Sequence, residues 1–239
     1  MSIEKFSSKA EQYAKGRPGY PVAVIDYIKT LVDDHVIIAD IGAGTGKFTE
    51  LIAQAGYEIF AVEPNVDMYD QLKLTLAKYP NVEPIFATSE ETTLADNSVN
   101  IITVAQALHW FDLEKFEAEC KRILKPDGWV IALYNSGSYH NNIMLYDHDK
   151  NEVREKATHR RNATSEFFTN PIVKEFVATI TYTRDTWFAY MMSHSHSPLP
   201  SDENYAEHAH KINAIFDDES KEDLMYREIV TTLYAEQLT

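Results

Sequence analysis

Val36-Ile37-Ile38-Ala39-Asp40-Ile41-Gly42-Ala43-Gly44-Thr45-Gly46-Lys47-Phe48-Thr49 decides the fold. An apolar, β-branched run halts at three alternate glycines. It gives way to Phe48, Leu51, Ile52 and Ala55 at helical spacing, so the pattern predicts strand, tight turn, helix, with Gly56 closing the helix. Glycines at such a turn leave backbone N–H groups room to face a ligand at the carboxyl edge of a sheet, which predicts a nucleotide cradle. The spacing departs from two familiar cradles. A dinucleotide turn needs G-x-G-x-x-G, and Lys47 stands at the third glycine position. A phosphate loop needs G-x-x-x-x-G-K-[ST], and Phe48 stands where the hydroxyl residue belongs. Asp40, one residue before the turn, places negative charge where a phosphate is unwelcome and a ligand ammonium group is welcome.

Strands and helices alternate outward from this turn. Pro21 to Val32 carries Val24, Ile25, Ile28, Leu31 and Val32 on one helical face. Tyr57 to Glu63 reads as a buried strand ending in an acid about twenty residues beyond the first glycine, where a doubly wound fold sets a carboxylate against ribose hydroxyls. Val66 to Tyr79 predicts a helix, Val82 to Thr88 a strand, and Asn100 to Ala105 another strand leading into Gln106-Ala107-Leu108-His109-Trp110-Phe111-Asp112. Asp112 to Leu124 predicts a helix capped by Asp112, with Cys120 buried, and Leu124 to Leu133 a fifth strand after a Pro126 and Gly128 turn. Lys174 to Tyr182 and Arg227 to Glu236 alternate apolar and polar residues, predicting a final antiparallel pair in a mixed sheet.

Composition narrows the partners. The 239 residues carry 37 acids against 22 lysines and arginines, a formal net charge of −15, which disfavours a nucleic acid substrate and favours small molecules. The single cysteine, Cys120, allows no internal disulfide and fits a reducing compartment. No apolar run is long enough to span a bilayer, so the expectation is a cytoplasmic protein without a membrane partner. No repeat or internal boundary appears, so residues 1–239 read as one domain.

The turn resembles the first motif of the class I S-adenosylmethionine-dependent methyltransferases, an acid followed by G-x-G-x-G. In that family the acid and the glycine loop hold the methionine moiety, which implies that role for Asp40, Gly42, Ala43, Gly44 and Gly46. Pro64, Asn65 and Met68 after Glu63 resemble the second motif, with Met68 an apolar contact to adenine. The family more often has Asp where Ser89 or Glu90 falls, so the adenine amino contact stays open between these two. Ala105-Gln106 and the residues after them resemble the A-Q-x-x-H-W-F-D signature of a group that includes trans-aconitate methyltransferase-like enzymes, and Leu124 to Gly128 resembles its L-K-P-G-G segment. The early F…Y…R-P-x-Y-P pattern resembles an arm that crosses the cofactor pocket. That implies Arg17 on the cofactor carboxylate and Tyr13 at the methyl-transfer site, although an arm whose aromatics merely cover the core fits the same residues.

The expected fold is α/β, a Rossmann-like seven-stranded mixed sheet with helices on both faces. The expected cofactor is S-adenosylmethionine and the expected reaction is methyl transfer to a carboxylate, hydroxyl or amine of a small molecule. His109 is either a general base or a scaffold residue stacked on Trp110. A carboxylate acceptor needs no base but a cation, for which Arg17, Arg160 and Arg161 are the candidates. Residues 136–170 are polar and predict a lid over the pocket mouth or a solvated connector. His194, His196, His208 and His210 invite a metal reading, but residues two apart do not share a helix face, so no metal is expected. Two rival functions remain: a cofactor-binding accessory protein without activity of its own, and an NAD-dependent oxidoreductase.

Overall fold

Ile38 and Ala39 face opposite sides of one strand, as neighbours on a strand must, and both are fully buried. Such a strand belongs in the middle of a sheet covered on both faces. In the computed structural model, which describes residues 15–32, 35–137, 150–194 and 197–238, it is β1 (Ile37–Ile41). Helix α1 (Val22–Ile28) precedes it. After it come α2 (Lys47–Gln54), β2 (Glu58–Val62), α3 (Val66–Leu76), β3 (Val82–Ile85), β4 (Val99–Ala105) and a 3-10 turn (Leu108–Trp110). Then follow α4 (Leu113–Ile123), β5 (Leu124–Gly137), α5 (Lys150–Phe167), β6 (Ile172–Tyr182), α6 (Arg184–Met192), α7 (Tyr205–Glu219) and β7 (Met225–Gln237).

The strands form the expected seven-stranded mixed sheet, in the order β3-β2-β1-β4-β5-β7-β6. Strands β1 to β5 pair in parallel, while β7 runs antiparallel to β5 and β6 antiparallel to β7. The winding reverses between β1 and β4, and an open sheet binds ligands beyond the carboxyl ends of the strands at such a point.

Alternate side chains feed two apolar layers. Ile38, Ile101, Ile131 and Leu133 pack with Val24, Ile25 and Ile28 of α1 and Phe48 and Ile52 of α2. Ala39, Ile102, Val130 and Ala132 pack on the other face with Phe116, Cys120 and Ile123 of α4. A third cluster joins Tyr182, Trp187, Met192, Ile212, Phe216 and Met225 beneath α6 and α7.

Helix ends follow local chemistry. The Asp112 side chain accepts from the Lys115 N–H at the start of α4, and the Asn65 side chain accepts from the Met68 N–H at the start of α3. Strand β3 stops at Ile85, three residues short of the expected Thr88, and tolerates Pro84 because it pairs only with β2 at the sheet edge. The polar stretch after β5 contains α5, whose Ala163, Thr164 and Phe167 are buried. No helix among the described residues is long and apolar enough to cross a membrane.

Candidate cofactor and acceptor site

The glycine turn leaves β1 with Gly42, Gly44 and Gly46 all at positive φ (70°, 59° and 86°), which only glycine adopts without strain. A Cβ on Gly42 would lie 2.7 Å from the Ala107 Cβ, whereas one on Gly44 would meet nothing within 4 Å. The turn is therefore packed against the β4 loop at one glycine and open at the next.

Four of the turn's N–H groups are bonded within the protein rather than left facing outward. Those of Gly42 and Ala43 donate to the Val62 carbonyl (2.9 and 3.0 Å), that of Gly46 to Ala43 (3.0 Å), and that of Gly44 to Glu63 Oε2 (2.8 Å). The ladder between β1 and β2 runs on into the turn and consumes the first two donors. What the turn offers a ligand is room and acidic surroundings, together with the Thr45 hydroxyl, which is buried without a partner among the described residues.

Asp40 is 1% exposed; its two oxygens accept from the Thr49 hydroxyl of α2 (2.6 Å) and the Thr103 hydroxyl of β4 (2.8 Å). Burial raises its pKa to about 6, and the two hydroxyls hold it from rising further. Glu63 follows β2, buried, with Oε1 accepting from the Asn65 N–H (2.9 Å) and Oε2 from Gly44. Burial raises its pKa, backbone donors lower it, and the charge of Asp40 adds to the rise. Pro64 is half-buried beside it and Met68 is buried on the inner face of α3. Ser89 is buried, while the Glu90 side chain accepts from the Asp112 N–H (3.1 Å), tying the loop after β3 to the start of α4.

Beyond Ala105, half-buried at the end of β4, Gln106 takes a left-handed conformation (φ 62°), a costly choice for a residue with a side chain. Its N–H donates to Leu133 (2.8 Å) and its amide to the Asn135 carbonyl (3.2 Å). Asn135, which the sequence did not single out, also donates to the Gly19 carbonyl (3.1 Å) and accepts from the Thr231 hydroxyl (2.6 Å). It fastens β4, β7 and the N-terminal arm at one point. The arm crosses the carboxyl edge of the sheet: Tyr20 packs edge-on against Phe48 (4.9 Å), and a Cβ on Gly16 would lie 2.0 Å from the Tyr190 nitrogen of α6. Arg17 Nη2 donates to the Ser193 carbonyl at the end of α6 (3.4 Å), with its guanidinium 5.8 Å from the Tyr190 ring centre. Tyr13 and His196 lie outside the described residues.

His109 follows Gln106 on the 3-10 turn. Its ring centre lies 4.7 Å from Trp110, 5.9 Å from Tyr134 and 5.9 Å from His159 of α5. His159 Nε2 donates to the His109 carbonyl (2.9 Å). Burial, then the charges of Arg160 and His159, lower the His109 pKa to about 3, so the imidazole is neutral and weakly basic at pH 7. That favours the scaffold reading over the base reading. Arg161 is exposed. Among the described residues no three His, Cys, Asp or Glu side chains gather as metal ligands.

The sheet order and layering are those of the class I methyltransferase fold. Residues 39–132 match the methyltransferase domain family. An uncharacterised methyltransferase of Mycobacterium bovis is 38% identical over 136 residues, 57% of this chain and 54% of its own. A methyltransferase-like protein of Schizosaccharomyces pombe is 36% identical over 139 residues, 57% and 53% of the two chains. The chain thus spans about half the length of the curated relatives it matches. Among solved structures, a candidate type II methyltransferase from Anaeromyxobacter dehalogenans superposes over 92% of this chain and 97% of its own, with a TM-score of 0.64 and 21% identity. A candidate methyltransferase from an antibiotic biosynthesis pathway of Anabaena variabilis does so over 89% and 97%, with a TM-score of 0.60 and 21% identity.

Proposed function

We propose that this chain is an S-adenosylmethionine-dependent methyltransferase acting in the cytoplasm on a small-molecule acceptor. One observation carries the reading: at the switch point, the turn spends four of its N–H donors internally and is flanked by two buried acids, with open space at Gly44. A pyrophosphate would meet like charge and too few donors there, which argues against the nicotinamide rival. A cationic ligand of amino acid and nucleoside character meets what it needs. Bound, S-adenosylmethionine supplies an electrophilic methyl group on a positively charged sulfur.

The residues would divide the work. Each Glu63 oxygen accepts one backbone bond and keeps capacity for a ribose hydroxyl. The Thr45 hydroxyl and the room above Gly44 suit the polar end of the methionine moiety. Asp40 holds the turn to β4 and α2 through its two threonines and contributes negative charge below it. Pro64, Met68, Ser89 and Glu90 lie along the strand ends on the adenine side. Displacement at the methyl group needs alignment and a water-poor pocket more than acid catalysis, and the arm with α5 covers the edge where water would enter.

The test is calorimetry of the purified chain with S-adenosylmethionine, S-adenosylhomocysteine, NAD and ATP, followed by an acceptor panel of carboxylic acids, phenols and amines assayed for S-adenosylhomocysteine. Saturable heat with the first two compounds alone, and turnover with a member of the panel, are expected. Heat with NAD alone refutes the reading. Cofactor binding without turnover against any acceptor favours the accessory-protein rival.

A further inference from the structure

Three polar atoms are buried without a hydrogen-bond partner among the described residues where the carboxyl ends of β4 and β5 meet α5: His109 Nδ1, the Tyr134 hydroxyl and Arg160 Nε. They are one cluster. Tyr134 lies one residue beyond Leu133, which pairs with Ala105 at the end of β4. Its ring centre is 5.9 Å from that of His109, and the charge of Arg160 bears on both. Tyr134 is 8% exposed, and its hydroxyl oxygen sits beside the Thr164 side chain and the His109 backbone N–H, while its own O–H donates to no acceptor among the described residues. Arg160 is half-buried and has no carboxylate partner among the described residues, in a chain whose acids outnumber its lysines and arginines 37 to 22.

A buried polar group left unpaired costs on the order of 1–3 kcal/mol, so three in one place call for a ligand that satisfies them together. The chemistry available is donor chemistry. Tyrosine with its pKa raised to about 12 by burial keeps its proton, arginine only donates, and a neutral imidazole can present an N–H at Nδ1. Such a set matches an oxyanion.

We propose that Arg160, Tyr134 and His109 form the binding site for an anionic oxygen group, carboxylate or phosphate, carried by the methyl acceptor. This rests on the methyl-transfer reading above and narrows its acceptors to anionic small molecules. Arg160 comes from α5 and the other two from the sheet edge, so an acceptor held here also pins α5 to the 3-10 turn, where His159 already bonds to the His109 carbonyl. Arg160 and Tyr134 act as specificity residues on a group of the acceptor, whichever of its atoms receives the methyl.

The experiment is calorimetric titration of the S-adenosylhomocysteine-saturated chain with citrate, inorganic phosphate and the neutral trimethyl ester of citrate. One anion is expected to bind at a single site. Arg160→Gln should weaken it at least tenfold and Tyr134→Phe several-fold, with S-adenosylhomocysteine affinity unchanged in both. Citrate alone identifies a carboxylate site, and phosphate alone a phosphate site. Anion binding indifferent to both substitutions, an ester that binds as well as citrate, or no anion binding at all overturns the proposal and leaves the three atoms to internal water. If one variant fails to fold, the other carries the same test. Failure of S-adenosylhomocysteine to bind the unaltered chain would sink the cofactor reading instead, and the titrations would then be run on the free chain, where dependence on Arg160 is still decisive.

Discussion

Asp40→Asn should make the protein more stable at neutral pH and worse at binding its cofactor. The side chain is fully buried, and its pKa of about 6 stands well above the ordinary 3.8. The folded chain therefore holds the proton more tightly than the unfolded one. At about 1.4 kcal/mol per tenfold, keeping the carboxylate charged costs the fold about 3 kcal/mol well above pH 6. That cost shrinks as pH falls through 6 and is gone below 3.8, and the linkage relation places roughly half of it between pH 8 and pH 5. Asparagine fills the same space without charge: one of the two threonine hydroxyls goes on donating to its Oδ1, and the other can rotate to accept from its Nδ2. Urea denaturation of both proteins at pH 8 and pH 5 should show the variant's advantage falling by on the order of 1 kcal/mol on acidification. Glu63 titrates in both proteins, and the part of its rise that comes from the Asp40 charge disappears in the variant, which adds to the same trend. A difference independent of pH, or one that favours the wild type more as pH rises, would refute the account of Asp40 as a buried, charged and destabilising group. Retention of such a group is expected where function needs it, so calorimetry should show at least a tenfold loss of S-adenosylmethionine affinity in the stabilised variant.

Thr103→Val removes one of the two hydroxyls that Asp40 relies on and should destabilise the fold by about 1–3 kcal/mol at pH 8, less at pH 5, in the same urea assay. Gly42→Ala forces a left-handed residue onto Ala107 and should lower the yield of folded protein sharply. Gly44→Ala meets no neighbour and should cost only about 1–2 kcal/mol while weakening S-adenosylhomocysteine at least tenfold, read by thermal unfolding and calorimetry. His109 has a folded pKa of about 3 against 6.5 unfolded, so its burial as a neutral ring loses stability as pH falls below 6.5. His109→Gln should flatten that acid-side loss in urea titrations, and the pH–rate profile of the unaltered protein should show no limb from this residue between pH 6 and 9.

The sequence made the sheet legible because its central strands are apolar on both faces and each ends at a turn residue or an acid. Ile38, Ile101 and Ile131 alternate with Ala39, Ile102 and Val130, a pattern that only a twice-covered sheet satisfies. Asp40, Glu63 and Gln106 were legible from their places at strand ends. Their orientations were not, because these depend on partners far along the chain: Thr103 lies 63 residues from Asp40, and Gly19 lies 116 residues from Asn135. Thr103 did leave a trace, as a lone hydroxyl inside Ile101-Ile102-Thr103-Val104. Tyr134 left none, since an aromatic residue ending a strand looks like core, and only the tertiary fold shows its hydroxyl unsatisfied beside Arg160.

On the reading proposed above, the two acids beneath the turn also make cofactor binding a proton-linked event, with a sign that can be worked out. Asp40 is near half-protonated at pH 6, and burial and the charge of Asp40 hold the Glu63 pKa up as well. A cation brought beside them favours their charged forms, lowers both pKa values and expels protons. S-adenosylmethionine carries one more positive charge, at its sulfur, than S-adenosylhomocysteine, while the ammonium group is common to both. Binding of the sulfonium at pH 6 should therefore release about half a proton, detected as a dependence of the calorimetric heat on the buffer's own ionisation enthalpy, and at pH 8 almost none. The demethylated product should release fewer at pH 6. The ratio of the two affinities should then shift toward the sulfonium as pH rises from 5 to 8, so that in the upper part of that range the product is the more readily displaced of the two. Equal proton release by both ligands would place the acids too far from the sulfur to sense its charge, and no release by either would remove Asp40 and Glu63 from cofactor electrostatics altogether.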